Sequence, residues 1–250
     1  MLELSNVSAG YGTCKVLDNV TASFSTRELI SIIGVNGSGK STLLKVILGV
    51  LPFYHGEIDI DGQGLRSLNR NEVAKKIAYL SQGKNTPDMT VEQLVLHGRF
   101  PHLSYPRRYT QCDKKIASDA MEAVGIADLA HKKLCTLSGG MRQNAYIAMA
   151  LAQDTDYILL DEPTTYLDIT HQFELMNLIR GLADKGKGII AVMHDLPMAF
   201  NFSDRIFVID KGQVKAFMTP QELSDTSIIG EVFNVKLKRM GDNGSFFYDI

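Results

Sequence analysis

Tryptophan is absent from this chain of 250 residues, and cysteine is scarce, at three. Cys14, Cys112 and Cys135 are odd in number, widely spaced and without a paired-ligand pattern. That argues against a disulfide frame or a zinc site and for reduced thiols in a cytosolic protein. Neither sign of charge dominates: 26 basic against 28 acidic residues leave −2, which gives no support to a general nucleic-acid-binding surface, so no nucleic-acid partner is expected. No apolar run approaches the roughly 20 residues needed to span a bilayer. The first five residues lack the basic start and apolar stretch of a signal peptide. Internal repeats, low-complexity segments and flexible linkers are missing as well. What remains, 45% hydrophobic and 22% charged, suits one large α/β domain or a core with an inserted subdomain.

The strongest positive signal is residues 34–42, Gly34-Val35-Asn36-Gly37-Ser38-Gly39-Lys40-Ser41-Thr42. They fit G-x-x-x-x-G-K-[ST], a loop that cradles phosphate. Its glycines let the backbone curl so that successive N–H groups face an anion. Lys40 brings a mobile charge to the β- and γ-phosphates, and Ser41 a hydroxyl to Mg²⁺. The apolar run at 29–33 predicts a buried strand before the loop. Leu43, Leu44, Val46, Ile47 and Leu48, closed by Gly49, predict a helix after it whose positive end adds to the anion site.

Period-two alternation predicts strands at 2–8 and 16–24, joined by a Gly10-Tyr11-Gly12 turn that displays an aromatic ring. Further strands are expected at 56–62, bounded by glycines, and at 77–80, with a helix capped by Asn69 between them. From about 83 the pattern turns helical and interrupted. Val91, Leu94 and Val95 form one helix face, and Ile116, Ala120, Ala123 and Val124 another. Arg99, Arg107 and Arg108 are read as a solvated face. A long helix is expected over 138–152. Then come an apolar strand delivering Asp161 and Glu162, a helix over 170–182, a strand at 189–193, His194 and a strand at 206–209. Thr219-Pro220-Gln221-Glu222 has the composition of a helix start, and a small helix and a strand pair should close the chain.

The loop alone leaves many nucleotide-binding families open. Leu137-Ser138-Gly139-Gly140-Met141, Leu159-Leu160-Asp161-Glu162-Pro163, Tyr166-Leu167-Asp168 and His194 follow it in order. Together these segments closely resemble the ATP-binding subunit of ABC transporters, across essentially the whole chain. The resemblance implies an α/β P-loop NTPase of the ABC ATPase type, with an N-terminal antiparallel β subdomain and an inserted helical subdomain. The core would be 1–82 and 155–250, and the helical subdomain 83–154. ATP and Mg²⁺ are the implied cofactors. Asp161 then corresponds to the acid that holds Mg²⁺, and Glu162 to the residue that positions and deprotonates the attacking water. Gln82 corresponds to the glutamine that touches Mg²⁺, and His194 to a histidine at the γ-phosphate. Tyr11 corresponds to the aromatic stacked on adenine, with Val16 as a second adenine contact. Ser138, Gly139 and Gly140 would complete the site of a second subunit in a head-to-tail homodimer, with Asp168 at the seam. Met141 departs from the family's glutamine, which places the turnover rate in question and not the site.

His97-Gly98-Arg99-Phe100-Pro101-His102 and the segment 161–169 resemble the motors of the iron-siderophore, haem and cobalamin importers. Such motors sit peripherally on the cytoplasmic face of the inner membrane under two integral-membrane permease subunits, with an extracytoplasmic substrate-binding protein acting indirectly. The permease contact is expected between Gln82 and roughly His102. The other readings are half of an exporter motor and a soluble non-transport ABC ATPase. Exporters often carry a fused membrane domain and non-transport members tandem cassettes or long coiled coils, neither of which is found here.

Overall fold

The computed structural model describes residues 1–81, 86–240 and 244–249. Alternating apolar residues set the first two strands, β1 (Leu2–Tyr11) and β2 (Cys14–Phe24), antiparallel with Leu2 opposite Phe24 and Tyr11 opposite Cys14. The turn is therefore at Gly12-Thr13, one step later than the glycine pattern suggested, and Tyr11 ends a strand. β3 (Leu29–Ile33) is buried at every residue. It feeds the 34–42 loop and helix α1 (Lys40–Ile47). β4 (Phe53–Ile60) begins earlier than its glycines predicted and pairs with β1; the two-residue β5 (Gln63–Gly64) continues that small sheet. Asn69 caps α2 (Arg70–Lys76) in a full capping box with Glu72, and β6 (Ile77–Leu80) follows.

Three helices come next, α3 (Val91–His97), α4 (Gln111–Ala123) and α5 (Gly139–Ala152), and they pack on one another. The buried face of α4 carries Ala117, Ala120 and Met121, while Ala123 is exposed. Of the face read from the sequence, Ala120 and Val124 are buried and Ile116 packs against the core, so only Ala123 was misplaced. Next come β7 (Tyr157–Asp161), α6 (Ile169–Asp184) and β8 (Gly188–Val192). A helix α7 (Leu196–Phe202) precedes β9 (Arg205–Asp210), and β10 (Gln213–Met218) follows it. The sequence reading had neither α7 nor β10. The tail is α8 (Pro220–Ser224), α9 (Ile228–Phe233) and the hairpin β11 (Lys236–Met240) with β12 (Ser245–Asp249).

The main sheet runs β10-β9-β3-β8-β7-β6, parallel except for β10. Strand alternation splits its side chains between two cores. Ile30, Ile32, Leu159, Ile190, Val192 and Phe207 join α1 and the antiparallel sheet. Leu29, Ile33, Ile158, Leu160, Ala191 and Val208 join the helices on the other face. Parallel strands therefore end side by side, and β3 and β7 both deliver their loops to the same edge. This is the α/β architecture expected of a P-loop ABC ATPase. No helix among the described residues is long and apolar enough to cross a membrane.

Candidate functional site

The 34–42 loop is bent by Gly39, at φ 109°, a conformation that L side chains rarely adopt. A methyl group there would lie 2.9 Å from a Leu17 methyl carbon and 3.5 Å from Val16 Cγ1. The loop thus packs against the strand carrying Val16. α1 begins with no side-chain cap and no acidic residue in its first turn. Its leading N–H groups and positive end are left for an external anion. Ser38 Oγ is buried without a hydrogen-bond partner, an orphan donor inside the loop. Lys40 Nζ donates to the Gly34 carbonyl at 2.8 Å and the Val35 carbonyl at 3.1 Å. Burial lowers the Lys40 pKa, opposed by the nearby Glu162 and Asp161 carboxylates. Asn36 and Gly37 sit exposed at the loop's rim. Thr42 is buried one turn below.

β7 ends on Asp161, whose carboxylate faces the start of α1. Ser41 Oγ donates to Asp161 Oδ1 at 3.2 Å, and the Tyr79 hydroxyl donates to Oδ2 at 3.3 Å. Burial raises the Asp161 pKa against these two hydrogen bonds. Burial and the neighbouring Asp161 push Tyr79 up to about 12, so it stays a donor. A hydroxyl and a carboxylate oxygen converging in a half-buried setting suit a hard divalent cation such as Mg²⁺, which takes few protein ligands and fills its shell from phosphate and water. No group of three or more His, Cys, Asp or Glu that could hold a metal exists among the described residues.

Glu162, the next residue, adopts φ 53°, uncommon for a residue with a β-carbon. Its amide donates to the Val192 carbonyl at 3.2 Å, tying the bend to β8. One carboxylate oxygen accepts from Thr165 Oγ1 at 3.2 Å, and the other meets His194 Nε2. Tyr11 is 47% exposed beside α1, its hydroxyl accepting from Lys45 Nζ at 3.5 Å and that ammonium 5.9 Å from the ring centroid. Lys40, Ser41, Asp161, Glu162 and His194 are thus joined through the ends of β3, β7 and β8.

Ser138 caps α5, its Oγ accepting from the Met141 amide at 3.3 Å. The helix therefore starts one residue later than expected. Gly139 lines a cleft of about 230 Å³ together with Arg142, Gln143, Asp161, Glu162 and Tyr166, but no residue of 34–42 lines it. Asp168 caps α6. Gln82 lies outside the described residues.

A family profile described as "ABC transporter" matches residues 17–165. The chain is 38% identical over 237 residues to the petrobactin import ATP-binding protein FpuD of Bacillus anthracis, covering 94% of this chain and 87% of that one. It is 38% identical over 238 residues to the ferric enterobactin transport ATP-binding protein FepC of Escherichia coli K12, covering 94% and 88%. The dimeric structure of a bacterial ABC transporter cassette superposes with a TM-score of 0.74 at 30% identity, covering 88% of this chain and 99% of that one. The chain belongs to the ABC transporter family. It is an ATP-binding subunit, and the ATP-binding subunits of ABC transporters are ATPases.

Within this ABC subunit the sequence reading missed several contacts. Tyr79 stood in an apolar strand with nothing to mark its hydroxyl. Thr165 at Glu162 had no motif of its own. Gln143 Nε2 donates to the Pro163 carbonyl at 3.0 Å and Arg142 Nη1 to Thr86 Oγ1 at 2.9 Å, pinning the first turns of α5. Arg99, assigned to a solvated face, is 7% exposed. Its Nε donates to Asp113 Oδ1 at 3.0 Å and its Nη1 to the Ala152 carbonyl at 2.9 Å. Arg107 is exposed, over the Phe100 ring at 4.3 Å.

Proposed function

We propose that this subunit is the ATP-hydrolysing motor of an importer that takes up an iron chelate (a siderophore), haem or cobalamin, with the siderophore favoured. It works as a homodimer beneath two permease subunits on the cytoplasmic face of the inner membrane. An extracytoplasmic binding protein delivers the cargo. The observation that carries the hydrolase is the junction at the end of β7, where Asp161 meets Ser41 and Glu162 meets His194 and Thr165. Support for the cargo class comes from the relatives, named for petrobactin and ferric enterobactin transport.

In this reading the α1 N–H groups, Ser38 and Lys40 hold the phosphates, and Tyr11 with Val16 holds the adenine. Ser41 and Asp161 hold Mg²⁺, with Gln82 joining them; when bound, the ion neutralises charge building on the phosphate oxygens. Glu162 accepts a proton from the attacking water, and its bent backbone aims the carboxylate. His194 orients that carboxylate and reaches the γ-phosphate. Water attacks in line and the β–γ bridging oxygen leaves with the bond's electron pair, so no covalent intermediate is needed. Ser138, Gly139 and Gly140 of the second copy add a hydroxyl, N–H groups and a helix end to the same phosphate.

The test is a mild-detergent pull-down from native membranes with mass spectrometry of every co-purifying chain, followed by uptake of labelled ferric siderophore in cells lacking the subunit. A polytopic permease and lost uptake are expected. Soluble partners alone would overturn the importer reading. Ser138→Arg should abolish ATP-dependent dimers while leaving ATP bound to the monomer; intact dimers would refute the shared site.

A further inference from the structure

Gly140 lies against a ring. A β-carbon at this position would stand 2.5 Å from His171 Cδ2 and 3.2 Å from its Nε2, so only a hydrogen fits between the signature turn and the first turn of α6. The ring is itself held. His171 Nδ1 lies 2.8 and 2.7 Å from the two oxygens of Asp168, and the His171 amide donates to Asp168 Oδ1 at 2.9 Å. Asp168 is thus both the cap of α6 and the clamp of the imidazole. Beyond the ring, a cavity of about 440 Å³ separates the segment 124–129, which follows α4, from α5 and α6, lined among others by Met141, Asn144, His171 and Glu174. The three atoms nearest to a β-carbon at Gly140 all belong to that ring.

We propose that Asp168 and His171 form an intrachain strut that positions the Ser138–Met141 turn, so that His171 is a positioning residue for the phosphate donors this turn presents to a second copy. The inference rests on the shared-site reading of Ser138–Gly140. It assigns to His171 a task that neither the phosphate loop nor the acids at the end of β7 perform. It also explains in this chain why residue 140 is glycine: a methyl group would push the ring off Asp168 or the turn off the ring.

The strut is strongest when the imidazole is charged. The groups facing it are Asp168 and Glu174 on its own segment and Asp128 across the cavity, while the α5 side chains there, Met141 and Asn144, carry no charge. The hydrogen bond and charge of Asp168 raise the His171 pKa above its usual 6.5. The Asp168–His171 attraction is therefore complete below about pH 6.5 and fades as pH rises through the shifted value.

The test measures ATP-dependent dimerisation by sedimentation in the Glu162→Gln background at about pH 6 and about pH 8.5. An exposed ion pair changes affinity roughly threefold, and a twofold dimer uses the strut twice with the factors multiplying, so His171→Ala should weaken the dimer about tenfold at the lower pH. His171→Asn, whose amide can donate to Asp168, should recover most of that loss but respond less to pH. A fluorescent ATP analogue should bind the His171→Ala monomer as tightly as its parent, because the phosphate loop is untouched. Dimers of His171→Ala as tight as the parent's, with the same pH profile, overturn the strut. So does an equal loss in the Ala and Asn variants that follows a lowered melting temperature. Failure of the Glu162→Gln parent itself to dimerise with ATP overturns the shared site on which the strut depends.

Discussion

Replacing Arg99 by methionine tests whether the helices around the signature are fastened by one buried cation. The change keeps a long apolar stem and removes a guanidinium that is 7% exposed. Two partners lose it. The Ala152 carbonyl, bonded at 2.9 Å, is left without a donor at the end of α5, which costs about 1–3 kcal/mol. Asp113 loses one charge-assisted bond at 3.0 Å, about 1.5–3 kcal/mol, yet keeps the Thr110 amide at 2.9 Å and the Thr110 hydroxyl at 2.7 Å. The sum, about 2.5–6 kcal/mol, brackets the roughly 3–5 kcal/mol cost of breaking a buried pair from one side. At roughly 2–4 °C per kcal/mol for a domain of this size, Tm should fall by roughly 10 °C in calorimetry.

Asp113→Asn in the same background should recover part of the loss, because the stranded charge is gone. The acid side has a definite sign. Bonds from the Thr110 amide and hydroxyl, then Arg99, hold Asp113 at about 2, below its usual 3.8. That stability is present above 3.8 and lost as pH falls toward 2, and removing Arg99 should shallow the fall. An Arg99→Met protein that melts within 2 °C of the parent would refute the reasoning.

Glu162→Gln removes the proton acceptor but keeps an oxygen for Thr165, so kcat for phosphate release should drop about 10²–10⁴-fold with ATP affinity retained; turnover within tenfold of wild type would sink the general-base assignment. Lys40→Ala should weaken ATP binding about tenfold or more, read by fluorescence titration, and unchanged affinity would contradict the phosphate role. Tyr79→Phe deletes the donor to Asp161 Oδ2, so Mn²⁺ binding in the presence of ATP should weaken about fivefold by calorimetry, while unaltered binding would leave the hydroxyl without a part in the metal site.

The phosphate loop and its flanks were legible because strand, glycines and helix each carry a local signal. β3 and α1 stand where the apolar runs placed them. The cap at Asn69 and the capping box at Thr219 were legible for the same reason. What escaped was set by partners distant in sequence. Arg99 reads as solvated until Asp113 and the end of α5 arrive, 14 and 53 residues away. Tyr79 gains a meaning only when β7 is laid beside β6. α7 was hidden by its shortness, although Asp195 accepting from the Met198 amide at 2.8 Å is a cap that the sequence offered. The Asp168–His171 spacing, a cap and its third helical residue, was also within reach of the rules that found Asn69.

The two ends of α5 are held in different ways, and the difference makes the helix a lever. At its C-terminal end Gln153 donates to the carbonyls of Ala74 and Ile77, at 2.6 and 3.1 Å. The carbonyl of the same residue meets His102 Nε2 at 2.8 Å, beside Arg99. Fourteen residues of helix at about 1.5 Å each put the other end roughly 21 Å away. Each degree of tilt about that fulcrum moves the signature by roughly 0.4 Å, so a turn of only about two degrees exceeds what a hydrogen bond to phosphate tolerates. On the shared-site reading, a turn of that size set at the 99–102 corner would carry the Ser138–Gly140 donors off a phosphate held by the second copy, and it would have to stretch the Gln143–Pro163 and Arg142–Thr86 bonds to do so.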